Sequence, residues 1–136
     1  MSPAEAQVLL SMAAAYDNRK PDPDAAKAWA AALGDLRFDD CRQALIEHYR
    51  ESRDWLMPVD IRSRVRRMRK ARLEAHPPVI PPAGLDDAEE LAWMRQVRRR
   101  IGDGERLDPN GGRALVDHSA DLRQLMRGAL NAEETP

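Results

Sequence analysis

Arg62, Arg66, Arg69 and Lys70 follow one another at intervals of four, three and one residues, and Arg64, Arg67 and Arg72 fill the same stretch. On a helix this spacing gathers cations along one side, where they can meet phosphate oxygens or the carboxylates of an acidic protein. Several phosphate contacts from Arg62, Arg66, Arg67, Arg69 and Lys70 would give salt-sensitive nucleic-acid binding. The alternative is a solvated helix flank, because no aromatic residue interleaves with the arginines from 62 to 72 to stack on bases.

Other chemistry finds little to build on. His48, His76 and His118 are scattered and Cys41 is the only cysteine, so no clustered ligand set for zinc is in view and no internal disulfide can form. On a helix face beside Leu45 and Tyr49, His48 reads as a packed or half-exposed core histidine rather than a ligand. The pairs Asp39-Asp40, Asp86-Asp87 and Glu89-Glu90 put carboxylates side by side, but neighbours on a helix diverge by about 100°, and acids at a helix start serve as caps. Neither a phosphate-binding loop with its Gly-Lys-Ser/Thr ending nor a dinucleotide fingerprint occurs. The expectation is a protein without a cofactor that acts by binding rather than by catalysis.

Charge is distributed unevenly. Residues 58–76 carry seven basic against two acidic side chains, whereas 1–57 carry seven against ten and 77–136 eight against eleven. A net charge of −1 therefore conceals one basic stripe between two acidic regions, and a nearly neutral whole argues against indiscriminate coating of nucleic acid. Glu5 stands where a secretory peptide would want basic residues, and no apolar run approaches the roughly 18 residues of a membrane span. A cytoplasmic protein that avoids membranes is expected.

The elements that must carry the stripe are helical. Ser2-Pro3-Ala4-Glu5 is a capping box with proline at the first helical position, followed by Leu9, Met12, Ala13 and Tyr16 on one face. Asp22-Pro23 starts a second helix with Ala26, Trp29, Ala30 and Leu33 aligned and Gly34 as its stop. A third begins at Asp39 or Asp40 and aligns Cys41, Ala44, Leu45, His48 and Tyr49. The fourth opens near Pro58, turns Ile61, Val65 and Met68 inward, and meets Arg72 one turn later, so it is expected to leave the core and continue as a basic rod. Tyr16, Trp29, Leu33, Leu45, Tyr49, Trp55 and Ile61 form the expected core.

Prolines 77, 78, 81 and 82 exclude helix and mark a semi-rigid linker over 76–85. Beyond it, acids at 86–90 and arginines at 98–100 bracket a fifth helix over about 86–101. Ser119 caps a last helix with Leu122, Leu125, Met126, Ala129 and Leu130 on one stripe, which either docks in a partner groove or packs back on the first four helices. The organisation is all-α: an N-terminal bundle of about four helices over 1–75, the linker, and a charged helical or flexible region over 86–136.

Over roughly residues 4–65 the chain resembles the phage loaders and inhibitors of replicative DNA helicases. The likeness lies in Leu9-Leu10 and Tyr16, Trp29 and Leu33 with Asp35, Ala44-Leu45 and His48-Tyr49, then Trp55-Leu56-Met57-Pro58-Val59-Asp60-Ile61-Arg62. It implies a helical head and a C-terminal region that contacts the hexameric helicase and helps deliver it to an origin while restraining it, with DNA or an origin-binding protein as a further partner. The departures are Asp17, where relatives tend to have proline, and the length of the arginine-rich extension. The competing reading is a DNA-binding regulator using the helix over 58–72.

Overall fold

Ser2 and Asp22 each turn a side-chain oxygen onto the backbone N–H three residues ahead, Glu5 at 3.2 Å and Ala25 at 2.7 Å, and each is followed by a proline whose missing N–H costs the first turn nothing. These caps open α1, Pro3–Asp17, and α2, Pro23–Leu33, in the computed structural model, which describes residues 1–110. α3 is Phe38–Glu51, α4 is Pro58–Ala75 and α5 is Asp87–Gly102. The described residues are all helix and connection, with no strand among them. The expected helix from Ser119, with Leu122, Leu125, Met126, Ala129 and Leu130, lies outside the described residues.

Leu9, Leu33, Leu45, Leu56, Ile61 and Val65 are fully buried at the centre of α1 to α4, and Ala6, Ala13, Ala26, Ala30 and Ala44 let the helices approach closely around them. Each such branched side chain stabilises the fold by about 1.5–3 kcal/mol relative to exposure. Trp29 closes the cluster, while Tyr49 and Met68 pack on its edge half-buried.

Two expected core residues lie outside it. Tyr16 is 56% exposed and so is Trp55. α1 buries Ala6, Leu9, Leu10 and Ala13, a face rotated by more than half a residue step from the Leu9–Tyr16 line; at about 100° per residue Asp17, not Tyr16, continues it. Trp55 precedes Leu56 in the extended connection between α3 and α4, where successive side chains point to opposite sides, and Leu56 takes the inward place.

α4 does not leave the core as a basic rod. α5 packs along it and buries Val97 and Ile101. Arg72 crosses the space where the apolar seam ends, holding the buried Asp40 carboxylate of α3 at 2.7 and 3.1 Å and the Gly102 carbonyl at 2.8 Å. Its guanidinium thus neutralises a buried acid and also caps the negative end of α5.

The proline-rich stretch is extended and fastened at two points. The Ile80 N–H donates to the Pro109 carbonyl at 2.9 Å, and the Leu107 N–H donates to Nε2 of His76 at 3.0 Å. With Nε2 accepting, the His76 proton sits on Nδ1, which donates to the Pro77 carbonyl at 2.7 Å.

Candidate functional site

The helical twist divides the basic stripe into two sides. Arg62, Arg66, Arg69 and Lys70 line one groove of about 500 Å³, whereas Arg67 stands on the opposite flank beside Arg64, Asp60 and Asp54. The groove floor is apolar, made by Leu36 from the α2–α3 connection and by Val65 and Leu73 of α4. Arg98 of α5 supplies a cation from across the groove. Sequence reading assigned Arg98 only to the dipole of its own helix; no signal in the chain announces that α5 folds back to bring it beside Arg66.

Two of these cations are held by carboxylates. Arg62 forms a forked pair with Asp35 at 2.6 and 3.0 Å and donates to the Ala32 carbonyl at 3.0 Å. The hydrogen bond from Arg62 lowers the Asp35 carboxyl from its ordinary range. Arg69 binds Asp103, passing over Gly102, where an added methyl would sit 2.9 Å from its Nη2. Lys70 reaches Glu74 at 3.8 Å with both ends exposed, a contact worth little in water. Arg66 and Arg98 have no carboxylate partner among the described residues.

A second cluster sits at the junction of α1, α2 and α3 with the 52–57 connection. The Arg19 guanidinium lies 5.2 Å from the Trp29 ring centroid and 4.9 Å from that of Trp55, so one cation touches a buried and an exposed indole. Asp17 receives it through Nε at 2.9 Å and Nη2 at 2.5 Å, and Nη2 also donates to the Leu56 carbonyl at 2.8 Å. The Tyr49 hydroxyl donates to Asp17 and accepts from the Leu56 N–H at 3.3 Å, while Tyr16 stacks on the Tyr49 ring with centroids 4.6 Å apart. Burial pushes the Asp17 carboxyl up, but the hydrogen bonds from Arg19 and Tyr49 outweigh it and hold the group at about 2. The sequence reads Asp17 to Pro21 as a polar break; the sandwiched Arg19 carries no local signature, because its two indoles come from positions 10 and 36 residues away.

Beside this anchor the chain turns apolar side chains outward. Trp55, Met57 and Val59 are exposed in succession, with Val59 66% accessible, and Tyr16 joins them through its stack on Tyr49. Exposed Trp, Tyr and Met side chains are what protein interfaces favour.

Several ionisable groups elsewhere have structural partners. Asp40 belongs to Arg72, Asp86 and Glu89 cap α5 reciprocally at 2.9 and 3.0 Å, and buried His48 meets the Asp54 carbonyl through Nε2 at 2.7 Å. Burial pushes the Cys41 thiol up to about 12, helped by the nearby Asp40 charge. Among the described residues no three His, Cys, Asp or Glu side chains gather as a metal site, and no helix is long and apolar enough to cross a membrane.

Comparison with family models, curated proteins and solved structures finds no match. Two surfaces stand out among the described residues: the basic groove of α4 and α5, and the apolar corner beside Arg19.

Proposed function

We propose that the chain is a non-catalytic adaptor of DNA replication, of the kind that binds a hexameric replicative helicase and loads or restrains it in a bacterial host cytoplasm. The observation that carries this reading is the outward presentation of Trp55, Met57 and Val59. These residues belong to the Trp55–Arg62 stretch on which the likeness to helicase loaders rests; one side of Trp55 covers Arg19, while Met57 and Val59 lie outside the core. Leu56 and Ile61 of the same stretch go inward, so one short segment both anchors the head and offers a contact surface. In this reading Leu122, Leu125, Met126, Ala129 and Leu130 add a second grip on the helicase.

The test is co-elution of the full chain with a purified hexameric helicase of a phage or its host. A complex is expected, and Trp55→Ala combined with Met57→Ala weakens it while the variant stays helical by circular dichroism and melts cooperatively. If no helicase is retained, or if retention ignores the double substitution, the reading fails. Regulation through DNA bound along 58–72 draws less support, because Arg62, Arg64, Arg69 and Arg72 already hold Asp35, Glu51, Asp103 and Asp40. Duplex titration at two salt concentrations separates the two, since phosphate contacts show a steep salt dependence.

A further inference from the structure

We propose that the groove between α4 and α5 is a docking site for an acidic, amphipathic segment of a partner protein. This does not depend on the helicase reading. Among the described residues its lining is five cations and three apolar side chains; Asp35, Asp103 and Glu74 partly neutralise Arg62, Arg69 and Lys70 from its edge, so the surplus positive charge comes from Arg66 and Arg98. Arg66 and Arg98 approach it from two helices without a carboxylate partner among the described residues, and Lys70 is tied only by an exposed contact. Asp35 and Asp103 hold the Arg62 and Arg69 guanidiniums in place at the groove.

The floor decides the class of occupant. A nucleic-acid backbone would satisfy the cations and leave Leu36, Val65 and Leu73 facing sugar and phosphate, and among the described residues no aromatic side chain lines the groove to receive a base. A segment with apolar residues on one side and carboxylates on the other meets floor and rim together, as amphipathic helices do in grooves of this type. A volume of about 500 Å³ accommodates several side chains of such a segment. The chain's own 119–131 stretch is the poorer match, because Arg123 and Arg127 set two cations against one acid, Asp121.

The experiment uses the full chain and a fluorescein-labelled synthetic peptide of 16 residues, with leucine at helical i, i+3, i+4 and i+7 spacing and glutamate elsewhere. Anisotropy titration is expected to show binding that Arg66→Glu with Arg98→Glu weakens by about tenfold or more. Leu73→Gln is expected to weaken it as well, and a peptide with lysine for glutamate does not bind. Both arginines are exposed, and an unchanged circular dichroism melt verifies that the double variant folds. Three results overturn the proposal: no peptide binding, binding indifferent to the charge reversal, or a 16-base-pair duplex that binds more tightly than the peptide and ignores Leu73→Gln. Deleting 111–136 leaves peptide binding in place if an external segment is the occupant; strengthening by about tenfold assigns the groove to the chain's own tail and overturns the proposal too.

Discussion

Arg72 of α4 and Asp40 of α3 form a forked ion pair in which the carboxylate is nearly inaccessible, its side chain 3% exposed. The same guanidinium reaches the Gly102 carbonyl, so one side chain ties three helices where the apolar seam has run out. Asp40 lies in the first turn of α3, where a negative charge also suits the helix dipole.

Removing the arginine strands the acid. Arg72→Ala is expected to cost about 3 kcal/mol, the lower end for one partner of a buried pair, because Arg72 itself is partly exposed. Arg72→Lys recovers only part of this, since an ammonium cannot make the fork and the carbonyl contact together. Urea denaturation of the three proteins measures it. Equal midpoints for wild type and Arg72→Ala would remove the strut from the account.

The two tryptophans that flank Arg19 should respond differently. Trp29 is buried, and Trp29→Ala is expected to cost about 3–5 kcal/mol through the cavity left behind. Trp55 is more than half exposed but covers the Arg19 guanidinium, whose side chain is only 7% exposed, and Trp55→Ala should cost about 1–2 kcal/mol, toward the worth of a desolvated cation over an indole. Thermal melts rank them, and a reversed order would mean that the aromatic corner is assembled differently.

Acid should loosen the same corner. Asp17 is held at about 2, below the roughly 3.9 of an unfolded aspartate, so its contribution is fully present above about pH 4. That contribution is lost as pH falls through about 2, when the folded carboxyl takes its proton. Tyr49→Phe removes one of the donors that lower the group, so the variant should lose stability at neutral pH by about 1–3 kcal/mol and depend less on pH in this window. Denaturant midpoints collected from pH 5 to pH 2 test both. Parallel curves for the two proteins would contradict the assignment.

Cys41 should be silent in the native state. It is fully buried and its thiol is pushed up to about 12, so almost no thiolate exists at pH 8 and no reagent can reach it. A colorimetric disulfide reagent is expected to react only as the chain opens, at a rate that follows added urea. Prompt stoichiometric reaction without denaturant would place the residue elsewhere.

What the chain carries locally is its helices. The capped starts at Ser2 and Asp22, the proline first turns, and the inward line of Ala26, Trp29 and Leu33 each depend on neighbours within a turn or two, where propensity and hydrogen bonding act. Cations at 62, 66, 69 and 70 were legible in the same way, because helical spacing alone groups them. Three things were settled only by packing. Asp17 rather than Tyr16 faces inward, since the rotation of α1 is chosen by what it rests against; Arg19 finds two indoles distant in sequence; and packing sets Arg98 of α5 and Leu36 of the α2–α3 connection beside half of the stripe while Arg67 is left on the far side. Each joins residues far apart along the chain, and periodicity within one helix holds no record of which other helix will cover it.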